Sequence, residues 1–294
     1  SENYLTYTKE FGKSNLTLLG GYSYQKTVNE NFFSEATGFI SDGFSYYGLG
    51  SATNILQPSS SKSDVEIQSQ FGRFNYDFDD KYLLTATIRR DGASNFSANE
   101  KYALFPSAAL GWKVSNENFL KDSKTISNLK FRASYGVTGN PSIGAYESLS
   151  RLETLYASSN GQTVSAVTPE QPENPNLKWE SSYQTNFGID LGLINNRVSV
   201  SLDYYNIDTK DLILTDNSIT EYLGFSGDDI LANVGEINNR GLEIALSTKN
   251  ILKEDFRWTT DFNIAFNKNE VVSLVNDADL FFDATPSYFS HDRS

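Results

Sequence analysis

Tyr183-Gln184-Thr185-Asn186-Phe187-Gly188-Ile189-Asp190-Leu191-Gly192 (residues 183–192) alternates apolar with polar or small residues almost without error. Odd positions carry Tyr, Thr, Phe, Ile and Leu, and even positions carry Gln, Asn, Gly, Asp and Gly. A helical template fits worse, because the face 183, 186, 187, 190 would bury Asn186 and Asp190 beside Tyr183 and Phe187. The stretch 256–267 repeats the pattern: Phe256, Trp258, Thr260, Phe262, Ile264 and Phe266 alternate with Arg257, Thr259, Asp261, Asn263, Ala265 and Asn267. A period of two sends successive side chains to opposite faces of a strand. Each such strand therefore has one greasy face and one wet face.

Composition sorts the classes that tolerate this pattern. No window approaches the roughly 18 consecutive apolar residues of a spanning helix, and the mean hydropathy of -0.43 resembles that of a water-soluble protein. A transmembrane β-barrel hides its band in this way, because only alternate residues meet lipid. The 17 tyrosines, 20 phenylalanines and 20 glycines supply aromatic rims and crowded backbone sites. With no cysteine the chain has neither a disulfide framework nor a thiolate metal site. It also lacks methionine and starts at Ser1 without a charged-then-apolar leader, so a processed product or, preferably, an internal fragment is expected. The net charge of -13 speaks against a nucleic-acid partner, which would call for a basic stripe.

The period predicts ten strands, over 3–11, 15–27, 63–76, 82–91, 102–113, 128–138, 178–192, 197–210, 236–249 and 256–268. Connections alternate in length. Those at Gly12-Lys13-Ser14, Phe78-Asp79-Asp80-Lys81, 193–196 and 250–255 are tight, whereas 28–62, 139–177 and 211–235 are long. Short turns on one side and long loops on the other are the outer-membrane pattern. Segment 114–127 breaks it: on the short-turn side it runs to fourteen residues, and it is a candidate for a helical turn. Trp112, Trp179 and Trp258 share parity with apolar neighbours and lie near strand ends, where an interfacial girdle would sit. Core packing in a soluble β-sandwich is the competing reading of the same parity. An open sheet cannot lie in lipid, because its edges would carry unpaired backbone groups at several kcal/mol each. Either the sheet closes at ten strands or further strands belong to the protein.

Longer stretches add what periodicity cannot. Residues 71–119, 129–140, 174–213 and 233–244 resemble the barrel region of SusC/RagA-type TonB-dependent transporters. Asn174-Pro175-Asn176-Leu177-Lys178-Trp179-Glu180, then Asn233-Val234-Gly235-Glu236 with Asn239-Arg240-Gly241, sit in that family's order and at about its spacing. The resemblance implies an all-β fold, an antiparallel transmembrane barrel of which these are about ten contiguous strands out of 22. It also implies an outer membrane of a Gram-negative bacterium, a SusD-like surface lipoprotein as lid, and import of an oligosaccharide or peptide driven through TonB. Plug and TonB-interaction segment are missing from residues 1–294, so the chain is expected to be just under half of a barrel, unable to transport alone. No cofactor or metal is expected.

Candidate sites follow from parity. Arg89, Lys130, Arg132, Gln184, Asn186, Asp190, Asp203, Glu243, Arg257, Asp261 and Asn263 fall on the inward face and would line the lumen, touching substrate or plug. Such residues also form the ordinary solvated wall of any barrel. In the loop 28–62, Phe32, Phe33, Phe39, Phe44, Tyr46 and Tyr47 are candidates to stack on a glycan or to meet a partner, as against packing the loop on itself. Catalytic readings are weak. His291 is the single histidine and stands four residues from the end without an orienting element. Asp190 and Asp203 suit a glycosidase only at a defined gap with one raised pKa. Asp77, Asp79 and Asp80 lack the glycine and glutamate of a calcium loop and read as a hairpin turn before Tyr82. Gly48-Leu49-Gly50 lacks the third glycine of a dinucleotide loop. No enzyme activity is expected. The alternatives to glycan or peptide import are a non-transporting adhesion or structural barrel and a siderophore receptor.

Overall fold

The computed structural model describes residues 1–159, 161–216 and 230–274. Ten strands form one antiparallel sheet: β1 (Glu2–Phe11), β2 (Ser14–Phe33), β5 (Ser59–Phe78), β6 (Tyr82–Ala93), β7 (Tyr102–Lys113), β8 (Ile126–Asn140), β11 (Glu180–Leu193), β12 (Val198–Asp216), β13 (Ile230–Leu252) and β14 (Arg257–Ser273). They pair in chain order, with β1 and β14 at the edges. Two small hairpins decorate the long loops: β3 (Ala36–Thr37) with β4 (Asn54–Ile55), and β9 (Arg151–Ser159) with β10 (Gln162–Gln171).

Every expected strand is present, and the differences lie at the loop ends. β2 continues to Phe33, β5 starts at Ser59, β12 reaches Asp216 and β13 starts at Ile230. Above the membrane both faces meet water, so the apolar alternation fades while the hydrogen-bond ladder and pairs such as Lys62–Glu30 go on. The loop 28–62 is correspondingly shorter and holds a 3-10 helix over Asp42–Ser51. Segment 114–127 does contain a helical turn, a 3-10 helix over Val114–Asn116 followed by further turns.

The sheet sorts its faces in register. Tyr82, Trp112, Phe131, Ile189, Leu202, Ile244 and Ile264 are successive cross-strand partners, so they form one apolar row. The row Tyr204, Leu242, Phe266 is followed at once by the polar row Asn206, Arg240, Lys268, which marks the upper margin of the greasy band. Among the described residues no second sheet covers this face: Phe187 and Phe262 remain 56 % and 54 % exposed. A β-sandwich would have buried them.

The tight connections sit at the opposite margin. Gly12, Asp79 and Asp80 take left-handed backbone at φ +60°, +56° and +51°, as short hairpins between right-twisted strands require. A compact core lies above the band, on the wet side. Ile67, Ala93, Ala103 and Phe105 from β5, β6 and β7 meet Phe96, Leu177 and Trp179 from the loops. β7 and β8 stop pairing at Ser107–Gly136, although both strands go on, and here the loops come in to pack.

Candidate functional site

The wet face carries a charge network built from three neighbouring strands. The Arg132 fork on β8 grips Asp190 on β11 with two bonds, Nε to Oδ2 at 2.9 Å and Nη2 to Oδ1 at 3.0 Å. Nη2 also donates to Asp203 Oδ2 on β12 at 3.0 Å. Ser201 Oγ donates to Asp190 Oδ1 at 3.0 Å and lies 3.2 Å from Asp203 Oδ2. The register explains the reach. Gly188 stands directly between Arg132 and Asp203, and a Cβ there would lie 2.6 Å from the Arg132 Cζ and 2.7 Å from an Asp203 oxygen. A missing side chain is what lets Arg132 lie across β11.

Lys130 pairs across strands with Asp190 and Glu243 with Asp203, which extends the network both ways. Asn186 shares a shallow depression with Lys130 and Arg132, and Asp261 and Asn263 share one with Asp190 and Ser201. Eight of the expected wall residues thus form one continuous patch. The other three stand apart. Arg89 holds both Asp91 oxygens at 2.8 Å and Ser69 Oγ at 2.7 Å, Gln184 faces Gly136 and Ile207, and Arg257 begins β14 opposite Leu252. At the centre of the patch Arg132 is ion-paired with both Asp190 and Asp203. Asp190 and Asp203 share one guanidinium rather than facing a reactive gap, so the two-carboxylate glycosidase arrangement is not formed.

At the mouth the aromatic candidates divide. Phe32 and Phe33 belong to β2, paired with Ser60 and Ser59, and not to the loop where the alternation had seemed to end. Both are exposed, as is Tyr47, while Phe39 is half-buried. Phe44 and Tyr46 fall within the 3-10 helix, with side chains outside the described residues, and His291 lies outside them altogether. Two other tyrosines, unmarked by periodicity, tie the loops together. Tyr146 Oη donates to Asp64 Oδ1 at 2.8 Å, and Gln57 donates to Tyr156 Oη at 2.6 Å. Asp64 and Glu66 both bind Lys26, at 2.6 and 2.8 Å, and that ammonium holds each carboxyl below its ordinary range.

Trp179 corrects the girdle expectation. It is 5 % exposed, packed on Phe96 and Phe105 at ring distances of 5.1 and 5.4 Å, and its Nε1 donates to the Lys101 carbonyl at 3.0 Å. It lies before β11, where the parity of the strand no longer governs its direction. Trp112 and Trp258 do stand exposed on the greasy face. The stretch around Trp179 is a structural knot. Asn174 caps the Leu231 carbonyl at 2.7 Å, Asn233 Oδ1 accepts from the Lys178 amide at 2.9 Å, and Asn233 Nδ2 donates to the Lys178 and Asp211 carbonyls at 2.9 and 2.8 Å. Asp211 takes left-handed backbone at φ +56° in a bulge of β12, and its carboxylate meets Lys178 at 3.0 Å. Both quoted sequence motifs therefore meet at one place, where they join a loop to β12 and β13.

A single sheet with one greasy and one wet face, tight turns below and anchored loops above, matches known proteins along most of its length. The family described as TonB dependent receptor-like, beta-barrel matches residues 1–289. The chain belongs to that family. It is 48 % identical over 289 residues to TonB-dependent receptor P3 of Formosa agariphila, covering 98 % of this chain and 29 % of the relative. To TonB-dependent receptor SusC of Bacteroides thetaiotaomicron it is 34 % identical, over 96 % of this chain and 28 % of the relative. Among solved structures, that of the RagAB peptide transporter superposes with a TM-score of 0.86 at 27 % identity, over 94 % of this chain and 30 % of that one. The outer-membrane transporter YddB of Escherichia coli shares the fold alone, with a TM-score of 0.62 at 10 % identity. The chain thus spans less than a third of the curated relatives it matches. It is a SusC/RagA-type outer-membrane β-barrel segment of a Gram-negative bacterium.

Proposed function

We propose that these strands are part of the wall of an importer that takes up an oligosaccharide or a peptide across the outer membrane, powered through TonB. The observation that carries this reading is the wet face. A continuous patch of Arg132, Asp190, Asp203, Glu243 and their neighbours sits on the side away from lipid, as the lining of a polar lumen needs, in a chain 34 % identical to SusC and similar in structure to RagAB. In the intact protein that patch faces a plug supplied by residues beyond 1–294, and the loops above it meet a SusD-like surface lipoprotein. Phe39 and Tyr47 are the loop aromatics that would meet substrate or that partner, and Phe32 and Phe33 stand on β2, the strand before that loop.

The test is growth. A strain lacking the full-length gene is grown on single oligosaccharides or peptides as carbon source, with and without the gene returned and with and without TonB. Loss of growth on one such substrate, restored only when both are present, is the expected result. Growth on every substrate without the gene, together with lost attachment to a surface, would replace import by adhesion. Loss of growth only under iron limitation would point instead to a siderophore.

A further inference from the structure

We propose that the wall carries a joint between β7 and β8, at which the mouth parts and closes while the ladder within the greasy band stays shut. β7 is paired with β6 from Tyr82–Trp112 to Gly92–Tyr102, and β8 with β11 up to Asn140–Glu180. Between β7 and β8 the ladder runs only from Lys113–Lys130 to Ser107–Gly136. Prolines stand where it stops. The Lys113 amide donates to the Lys81 carbonyl and the Lys101 carbonyl accepts from the Ala93 amide, so odd-numbered residues of β7 turn their backbone groups toward β6. Even-numbered ones turn theirs toward β8, since the two sides alternate along an antiparallel strand. Carried onward in the same register, the hydrogen-bonded pairs would be Pro106 with Val137, Leu104 with Gly139 and Tyr102 with Pro141. Each proline lacks an N–H, so the first and the last of these pairs can make one bond instead of two. The β6 ladder loses nothing, because the nitrogen of Pro106 points the other way. Phe105 belongs to the wet face and Gly139 to the parity of the greasy one, yet the Phe105 ring fills the space in which a Cβ of Gly139 would stand. The two strand ends have therefore left a common plane.

Side chains take the place of the missing ladder. Two connections face each other across the split, 94–101 between β6 and β7 and 141–179 between β8 and β11. Asn95 Nδ2 donates to the Pro141 and Ile143 carbonyls, both at 3.0 Å. Ser97 gives its amide and its hydroxyl to the Leu177 carbonyl at 3.3 and 3.2 Å, and the bond from Trp179 Nε1 to the Lys101 carbonyl crosses in the same way. One link is incomplete. Asn95 is 3 % exposed, and among the described residues no donor meets its Oδ1. A buried acceptor without a donor favours any state in which water reaches it. Water is close at hand, since Tyr102 and Leu104 are exposed and Gln70 and Arg90 stand beside Leu104 in its cross-strand row. Backbone groups freed here can bond to water, whereas within the band lipid would offer them nothing. The split is therefore confined to the mouth.

Hydrogen–deuterium exchange of the full-length protein in detergent, read by mass spectrometry, tests this whatever solute is carried. The Ser97 amide is buried and its bond crosses the split, so it exchanges when the joint opens, whereas the Ala108 amide belongs to the closed ladder. In the wild type, 94–101 should exchange well before 107–113. The double substitution Pro106→Val, Pro141→Val restores both donors and should slow exchange of 94–101 by about tenfold, the effect of two added backbone bonds, with 107–113 unchanged. Asn95→Ala removes two links and should speed exchange of 94–101 and of the facing stretch 141–149 together. Mobility of unboiled protein in SDS verifies that the variants fold. Exchange of 94–101 as slow as that of 107–113 in the wild type overturns the proposal. So does fast exchange of 94–101 that ignores the proline pair, which marks one loop fraying by itself. Should the proline variant not fold, Asn95→Ala decides, and speeding of 94–101 alone overturns the joint.

Discussion

At the scale of single residues, the absence of a side chain at Gly188 decides as much as any charge. Gly188→Ala would push a methyl to within 2.6 Å of Arg132 Cζ, so the arginine must leave one of its two aspartates. An expected loss on the order of 1 kcal/mol follows from displacing such a half-buried ion pair, read as a lower urea midpoint of the full-length protein in detergent; an unchanged midpoint would show that the network adds nothing. Trp179→Ala removes the largest ring from a core whose Leu177 is 0 % exposed, and about 3–5 kcal/mol is the usual cost of such a cavity. The band should remain folded while protease cuts within 141–179, since the affected core lies above the membrane. The parity of Arg132, Asp190 and Asp203 was legible in the sequence, and their joint binding was not. Parity assigns a face, whereas the bond also needs the register that places Gly188 between them.

At the scale of elements, the turns and the loop ties are where stability can be tuned. The connection between β11 and β12 holds Ile194, Asn195 and Asn196 all in left-handed backbone, at φ +52°, +53° and +56°. A β-branched residue pays a steric penalty there that glycine avoids, about 1 kcal/mol. Ile194→Gly should therefore be neutral or raise the unfolding midpoint, in contrast to an ordinary strand position, where glycine destabilises. The tie of the loop to β5 depends on pH. Asp64, facing Lys26, Lys62, Glu66 and Tyr146, is held low first by its bond to Lys26 and then by Tyr146, and Glu66 first by Lys26. Carboxyls with depressed folded values stabilise fully above their unfolded range near pH 4. That contribution disappears as pH falls through the depressed values. Limited proteolysis with pepsin should thus open the loop carrying Tyr146 progressively below about pH 4, and Asp64→Asn should make it open already at neutral pH. In the sequence this loop is visible only as a long connection, because Tyr146 and Asp64 are 82 residues apart and share no local pattern.

At the scale of the whole molecule, the greasy band dictates how the protein behaves outside a membrane. Among the described residues β1 and β14 present edges, and the chain covers less than a third of its relatives, so the test of closure is made on the full-length product. The full-length product should migrate faster in SDS before boiling than after, because a closed barrel leaves no unpaired edge from which to unfold. Identical mobility before and after heating would count against closure. The amino-acid sequence by itself determined the ten strands of the main sheet, the facing of nearly every side chain within the band and the family, because lipid on one side and water on the other impose a strict two-residue rule; the two small loop hairpins carry no such signal. It went astray at Trp179 and at the ends of β2, β5, β12 and β13, where water lies on both sides and the rule no longer operates. Only the tertiary structure decided the bonding of Arg132 to two aspartates, the knot of Asn174, Lys178 and Asn233, and the bonding of Glu117 to Tyr82 and Trp112. Those depend on residues far apart in the chain meeting at one register, and distance along a sequence carries no information about that until the sheet has formed.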